Sequence, residues 1–200
     1  MSASVADAPR SPGRPRSVRA DEAIIEATLD LLAEGMSVDV LSIEAIAARA
    51  GVGKATIYRR WTGKDALLHD ALATLKAPAP LPEGKSVRDD LVLLLSHVGP
   101  QPDPRFAAIM PCILPHVTRS EEHYKAYQDI IEPRRNVVRS VLRRGIDTGE
   151  LRPDLDIEVT LAMLIGPVLI QRMLRWHPGL DADKLPAQVV DVIMAGIAAR

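Results

Sequence analysis

The segment that most constrains the fold is residues 42–64, in which a glycine separates two short stretches with helical spacing of apolar residues. Ser42 can cap a helix whose apolar residues fall on one face, at Ile43, Ile46, Ala47 and Ala50. Gly51 stands where that helix must end, because glycine adopts the left-handed conformation at little cost. A second short helix follows, with Ile57 as its core residue. The segment therefore predicts a helix-turn-helix.

The same segment is basic. No Asp or Glu occurs between Arg49 and Lys64, and such a run suits a polyanion such as DNA. A basic run on a short helix is usually only a solvated face, but here it coincides with the cap, the turn and the core isoleucine. We expect Lys54 and Thr56 to contact bases or phosphates. We expect Tyr58 and Lys64 to hold phosphates. The full set of DNA contacts predicted in this segment is Ser42, Lys54, Ala55, Thr56, Tyr58, Arg59, Arg60 and Lys64.

Residues 50–68, with the sequence AGVGKATIYRRWTGKDALL, resemble the DNA-binding signature of the TetR/AcrR family of transcriptional regulators. The specific match covers residues 20–76, with Trp61 where the family usually has Phe or Val. The resemblance implies an all-α fold of about nine helices, with an N-terminal helix-turn-helix DNA-binding domain and a C-terminal ligand-binding and dimerisation domain. It also implies a homodimer that binds double-stranded operator DNA in the bacterial cytoplasm, in association with the nucleoid.

The composition agrees with a helical protein of the cytoplasm. Apolar residues make up 47% of the 200 residues and aromatic residues only 3%, which favours a Leu/Ile/Val/Ala helical core over a β-sandwich. The net charge of −1 means that the positive charge is local. The single cysteine, Cys112, excludes an internal disulfide and fits a reducing compartment. Charges interrupt the most apolar window, residues 155–174, so we expect no membrane span of ~20 residues.

The chain divides into three predicted segments. Residues 1–18 are expected to be a disordered basic arm, residues 19–76 the DNA-binding domain with its connecting helix, and residues 77–200 the ligand-binding and dimerisation domain. In the arm, Arg14 and Arg16 could enter the narrow minor groove of A/T-rich DNA, or the arm could be an ordinary solvated tail. Both interpretations stay open.

A predicted helix at residues 156–175 is apolar around nearly its whole circumference. Such a helix is buried on all sides, and a chain of this length has few helices to cover it. A second copy of the chain would cover it, together with a predicted helix at residues 184–199. The predicted dimer contacts are Leu161, Leu164, Val168, Val189, Ile193 and Ile197.

The sequence shows no catalytic constellation. It has no phosphate-cradling glycine loop and no nucleophile elbow, and Cys112 is expected to be a packed thiol. Of the five histidines, His116 and His123 form only a weak candidate pair, since a predicted helix break separates them. We therefore predict no enzyme, no cofactor and no metal site.

A sensor pocket is the more plausible second site. The resemblance places it among the helices between residue 86 and residue 175, and Met and the prolines within these helices suit an adaptable pocket for a small apolar effector of unknown identity. Each residue taken singly could instead be core or surface. The predicted pocket residues are Phe106, Met110, Ile113, Tyr124, Tyr127, Gln128, Ile131, Met163 and Gln171.

The sequence thus predicts a homodimeric one-component repressor that a small apolar ligand releases from a near-palindromic operator. Two other functions stay open. The dimer could act through a protein partner or architecturally, without an effector, which predicts a filled core. The chain could also be a helical enzyme or carrier that lost operator binding, although the basic run from Arg49 to Lys64 disfavours this.

Overall fold

The computed structural model describes residues 15–75, 78–99 and 103–197, without the side chains of residues 15–17. Within these ranges the regular elements are nine α-helices and no strand, which confirms the predicted all-α fold. They are α1 Pro15–Ala33, α2 Ile43–Ala50, α3 Lys54–Tyr58, α4 Lys64–Thr74, α5 Val87–Ser96, α6 Phe106–Val117, α7 Glu121–Asp147, α8 Ile157–Leu174 and α9 Leu185–Ile197.

The first helix begins earlier than the sequence indicated. Helix α1 starts at Pro15 rather than at residue 19, and proline suits the first turn of a helix because its missing N–H would have no partner there. Arg16 therefore lies in the first turn of α1 and not in an extended arm. Arg14 lies outside the described residues.

Local signals in the chain form the helix-turn-helix. The Ser42 hydroxyl accepts a hydrogen bond from the backbone N–H of Ala45 at 3.1 Å and caps α2. Gly51 ends α2 with a φ of 66°, in the left-handed region that favours glycine. Ile57 is fully buried and fixes the short α3 on the core. Trp61 is buried beside it, and its indole N–H donates to Asp70 at 2.9 Å.

One hydrophobic core joins the helix-turn-helix to the rest of the molecule. It includes fully buried residues of the N-terminal helices, among them Ile24, Ile46 and Leu67. It also includes Ile109 and Ile113 of α6, both fully buried. Helix α6 packs directly against α1, so the DNA-binding unit, α1–α4, is not a free-standing module.

A second core lies between α5, α7, α8 and α9. Leu164 and Val168 of α8 are fully buried in it. By length and composition alone, α8, with 18 residues, is the one helix in the described ranges that could cross a membrane. A core helix passes the same test, and α8 packs against α5, α6, α7 and α9.

A buried carboxylate ties this second unit together. Asp90 of α5 is only 2% exposed and accepts hydrogen bonds from the backbone N–H groups of Glu83 at 2.9 Å and Gly84 at 3.1 Å. The Arg144 guanidinium of α7 donates to the same carboxylate at 2.6 Å. Asp90 thereby connects α5, α7 and the segment that arrives from α4.

Replacing Asp90 with Ala should lower the free energy of unfolding by about 2–4 kcal/mol, because two backbone donors and the Arg144 cation lose their acceptor. Chemical denaturation followed by circular dichroism measures the change. The neighbouring Asp89→Asn is the control, since that side chain is 69% exposed and should change stability by less than about 0.5 kcal/mol. Equal stabilities of the two variants would contradict this role of Asp90.

Candidate nucleic-acid interface

Helix α3 turns one polar surface outward from its buried isoleucine. Lys54, Ala55, Tyr58 and Arg59 are exposed, and Thr56 is half-buried. Because Ile57 holds the helix on the core, these side chains have a fixed direction. Arg60 and Lys64, just after α3 and at the start of α4, are half-buried. The predicted contact residues are thus brought to one region of the surface.

The basic run is largely paired with acids from elsewhere in the sequence. Arg49 forms a bidentate ion pair with Glu34, the residue just after α1, at 2.8 and 2.7 Å. Lys54 pairs with Glu44 of α2 at 2.9 Å. These hydrogen bonds lower the pKa of both Glu34 and Glu44 below their usual values. The surface is therefore less positive than the acid-free run indicates.

Such exposed pairs hold their partners weakly. Surface ion pairs contribute about 0–1 kcal/mol each, so phosphate oxygens can displace the carboxylates. Arg59 has no ion-pair partner in the described part of the chain. Arg59 can therefore bind a phosphate without first breaking an ion pair, unlike Arg49 and Lys54.

Three predicted DNA contacts also have internal partners. The Lys64 ammonium donates to the backbone carbonyl of Val38 at 2.7 Å. The Arg60 guanidinium pairs with Asp21 of α1 and donates to the Thr56 carbonyl. The Ser42 hydroxyl caps α2. These bonds position the residues. The sequence predicted the Ser42 cap but not the bonds to Val38 and Asp21, because those two partners lie outside residues 42–64.

A cavity of about 270 Å³ lies between α5, α6, α7 and α8. The predicted pocket residues Phe106, Tyr127 and Ile131 line it. The sequence analysis missed the two arginines of its wall, Arg134 and Arg135, since on a long polar helix they resemble ordinary solvated residues. The remaining lining residues are Ala79, Pro80, Leu94, Val98, Gly99, Val138, Ile165 and Leu169.

Several predicted pocket residues lie elsewhere. Met110 and Ile113 are buried in the core shared with α1–α4, one and two turns further along α6 than Phe106, and they lie outside the cavity lining. Tyr124 is exposed, and Met163 faces outward into a shallow groove between α8 and α9. Gln128 lies outside the cavity lining and accepts a hydrogen bond from Arg135.

Gln171, also predicted as a pocket residue, lies outside the lining of this cavity. It is buried, but its amide donates to the backbone carbonyls of His177 at 2.9 Å and Leu180 at 3.1 Å. Its side-chain oxygen accepts from the His177 N–H at 3.0 Å. All of these bonds hold the loop between α8 and α9, so its polar atoms are already satisfied.

Arg134 is an incompletely compensated cation. Its guanidinium donates to the His97 carbonyl at 2.9 Å, and no carboxylate pairs with it among the described residues. Burial lowers the pKa of Arg134, which means that its charge is poorly solvated where it stands. Its neighbour Arg135 has Glu132 and Gln128 as partners. An anionic group in the cavity would relieve the cost at Arg134.

The predicted dimer contacts differ in how exposed they are in the single chain. Leu164 and Val168 are 0% exposed in the single chain, and Leu161 and Ile197 are also buried in its own core. All four pack against neighbouring helices of the same chain. Val189 and Ile193 are half-buried and line the groove between α8 and α9. The exposed apolar residues of these two helices are instead Val159, Met163, Ile170, Leu174 and Val192.

The structure brings together one group that the sequence treated as unpromising. The rings of His116 and His123 stack with their centroids 3.8 Å apart, next to Asp65 at the start of α4. Burial is the main cause that lowers the pKa of His116, and the charge of His123 acts in the same direction. Asp65 could not be associated with the two histidines from spacing.

These features define a class of protein. A helix-turn-helix that presents basic and hydroxyl groups, joined through a shared helix to a second helical unit with a cavity, describes a DNA-binding transcriptional regulator with a ligand-binding domain. Each half of the chain matches a known domain family. The family "Bacterial regulatory proteins, tetR family" matches residues 24–71, and the family "Tetracyclin repressor-like, C-terminal domain" matches residues 81–193. The chain belongs to the TetR family of transcriptional regulators, which are not enzymes.

Individual relatives support this assignment. The HTH-type transcriptional regulator YdeS of Bacillus subtilis (strain 168) is 32% identical over 164 residues, which cover 81% of this chain and 82% of YdeS. The HTH-type transcriptional regulator AqdR of Rhodococcus erythropolis is 27% identical over 90% of this chain and 86% of its own. The fold is similar to that of the fatty acid degradation regulator FadR from Bacillus halodurans, with a TM-score of 0.69 at 19% identity over 88% of this chain and 98% of the other.

The pairing of Lys54 with Glu44 leads to a prediction about DNA affinity. Glu44→Gln should strengthen binding to a DNA duplex by about 2–5-fold at low salt, because Lys54 no longer has to break an ion pair before it binds a phosphate. Fluorescence anisotropy of labelled DNA measures this. Glu122→Gln on α7 removes the same charge away from α3 and is the control. If both variants bind DNA equally well, the Glu44–Lys54 pair does not compete with phosphate.

Proposed function

We propose that this protein is a homodimeric transcriptional repressor of the cytoplasm, which binds a near-palindromic operator and is released by a small, largely apolar effector with a negatively charged group. The observation that carries the proposal is the position of α6. Phe106, at its first turn, lines the cavity, while Ile109 and Ile113 pack in the core of the DNA-binding unit. A ligand against Phe106 therefore acts on the helix that supports α1–α4.

The DNA contacts follow from the surface of α3. With Ile57 on the core, Lys54, Thr56 and Tyr58 would face the major groove, and Arg59 would take a phosphate. Lys64 would hold a phosphate at the start of α4, where the helix has no side-chain cap and its first N–H groups are open to an anion. Arg14 and the residues before it would make any contacts in the minor groove, since Arg16 already belongs to α1.

A dimer is needed because the five residues of α3 make too few base contacts to select one site in a genome. The exposed apolar side chains of α8 recur at positions 159, 163, 170 and 174, a spacing that places them on one face. Val192 extends this face onto α9, and the adjacent Ala195 and Gly196 are small and exposed, which allows close approach. A patch of this kind marks an interface, and the same two-helix face of a second copy would cover it, which makes a four-helix interface.

The effector chemistry follows from the cavity wall. Most of the lining is aliphatic or aromatic, which suits an apolar body. Arg134 supplies a cation that no described carboxylate balances, so an effector with a carboxylate or similar group would gain both apolar burial and a charge-assisted hydrogen bond. The effector would act by binding more tightly to a conformation whose two DNA-binding units fit the operator poorly.

The alternative without an effector is less well supported. A regulator that acts only through a protein partner or architecturally has no need of an internal cavity, whereas about 270 Å³ lies between α5 and α8.

The proposed dimer face predicts the effect of a single charge. Val192→Asp should weaken dimerisation about 100-fold or more and abolish operator binding, because the interface would bury an unpaired carboxylate. Val192 is 76% exposed in the single chain, so the fold should persist. Sedimentation velocity measures the dimer. Leu81→Asp is the control, since Leu81 is an apolar residue 87% exposed on the connecting segment, and a Val192→Asp dimer as stable as this control would place the interface elsewhere.

The proposed effector chemistry predicts a preference for anions. Decanoate should release the protein from DNA at a lower concentration than decan-1-ol, and Arg134→Gln should reduce that preference by about tenfold. Anisotropy of a labelled operator fragment in a ligand titration measures both. Arg143→Gln removes an exposed arginine of the same helix and should keep the preference. Equal potency of the two compounds on the unaltered protein would exclude a role for Arg134 as the anion partner.

A further inference from the structure

Asp65, His116 and His123 bring three helices together at one point. Asp65 lies in the first turn of α4, His116 in the last turn of α6 and His123 in the first turn of α7. One potential ligand atom from each lies within 4.8 Å of the other two. The break between α6 and α7 makes this possible: Ser120 caps α7 by accepting a hydrogen bond from the His123 N–H, and the turn stacks the two rings face to face.

The distances within this cluster are unusual for a structural ion pair. Nε2 of His116 lies 3.8 Å from one oxygen of Asp65, and Nε2 of His123 lies 3.7 Å from the other. Both separations are too long for a hydrogen bond. They are close to the separation of about 3.3 Å between two ligands of a tetrahedral ion with bonds of about 2.0–2.1 Å. A small movement of the exposed Asp65 side chain would reach that geometry.

The two imidazoles also lack the hydrogen bonds that a purely structural histidine has. Nδ1 of His116 and Nδ1 of His123 are both buried, and neither has a hydrogen-bond partner among the described residues. The polar group that faces each ring is therefore the Asp65 carboxylate, on the Nε2 side. Apolar side chains, including Leu68, Ile113 and Ile130, surround them, which excludes competing cations from that side.

We propose that Asp65, His116 and His123 form a binding site for a divalent transition-metal ion of the Zn²⁺ class, with water in the remaining positions. Two imidazole nitrogens and one carboxylate suit Zn²⁺, Co²⁺ or Ni²⁺, whereas Mg²⁺ and Ca²⁺ require oxygen ligands. The site is separate from the effector cavity, although Tyr127 lines both spaces. The proposal does not depend on the operator or the effector.

Such an ion would connect the two units of the molecule directly. Asp65 belongs to the DNA-binding unit and directly follows Lys64, while both histidines belong to the second unit. Coordination would therefore add a bond between α4 and the α6–α7 turn, next to the contact of α6 with the shared core. An ion bound only by the folded chain also stabilises it.

The test uses the full chain without an affinity tag, treated with a chelator and then dialysed. Titration calorimetry with ZnCl₂ at about pH 7.5 should show about one ion per chain with a micromolar or tighter Kd, and no binding of Mg²⁺ under the same conditions. His116→Gln, His123→Gln and Asp65→Asn should each weaken Zn²⁺ binding about tenfold or more. His97→Gln removes an exposed histidine outside the cluster and should leave the Kd unchanged.

Thermal unfolding provides a second readout. Zn²⁺ should raise the Tm of the unaltered chain and of His97→Gln, and this rise should disappear in the three site variants. Asp65 is 64% exposed, so Asp65→Asn should fold. This variant keeps the test valid if a histidine variant fails to fold. Absence of Zn²⁺ binding by the unaltered chain, or site variants that bind as His97→Gln does, would overturn the proposal and leave a stacked histidine pair without an ion.

Discussion

The structure depends above all on the apolar face that α6 contributes to the core of the DNA-binding unit. Ile109 and Ile113 are fully buried there, and burial of such a side chain contributes about 2 kcal/mol. Without α6, the helices α1–α4 would expose part of their core. The second unit thus completes the first, and the position of the DNA-binding surface relative to the cavity is set by packing rather than by a flexible linker.

Ion pairs modify the charge of the DNA-binding surface and of the cavity that this packing positions. Residues 49–64 contain no acid, yet Glu34 and Glu44 bring carboxylates to two of its cations. The pairs hold long side chains in place at little gain in stability. Arg134 shows the opposite situation: a cation in a cavity wall without a described carboxylate. Two cations of the DNA-binding surface are thus balanced by carboxylates, whereas Arg134 in the cavity wall is not.

Local features of the helix-turn-helix could be predicted from the sequence. The Ser42 cap, the Gly51 turn and the buried Ile57 each depend on neighbours a few residues away, so spacing and residue type were sufficient. The interior side of α8 could not be predicted in this way, because a helix with apolar residues all round carries no periodic signal. Leu164 and Val168 proved to be core, whereas Met163 is exposed. The cluster at Asp65, His116 and His123 depends on a contact between distant segments, which no spacing rule contains.

The Asp90 carboxylate determines where the molecule can bend. Since it holds the backbone N–H groups of Glu83 and Gly84 as well as Arg144, the end of the connecting segment is fixed to the rigid body of α5, α7, α8 and α9. A hinge between the two units is therefore confined to the stretch before residue 83, which contains three prolines at positions 78, 80 and 82. Proline restricts φ to a narrow range, so these prolines make the connecting segment stiff. Movement of α1–α4 against the second unit would then have to displace α6, which packs against α1 as well as against α7 and α8.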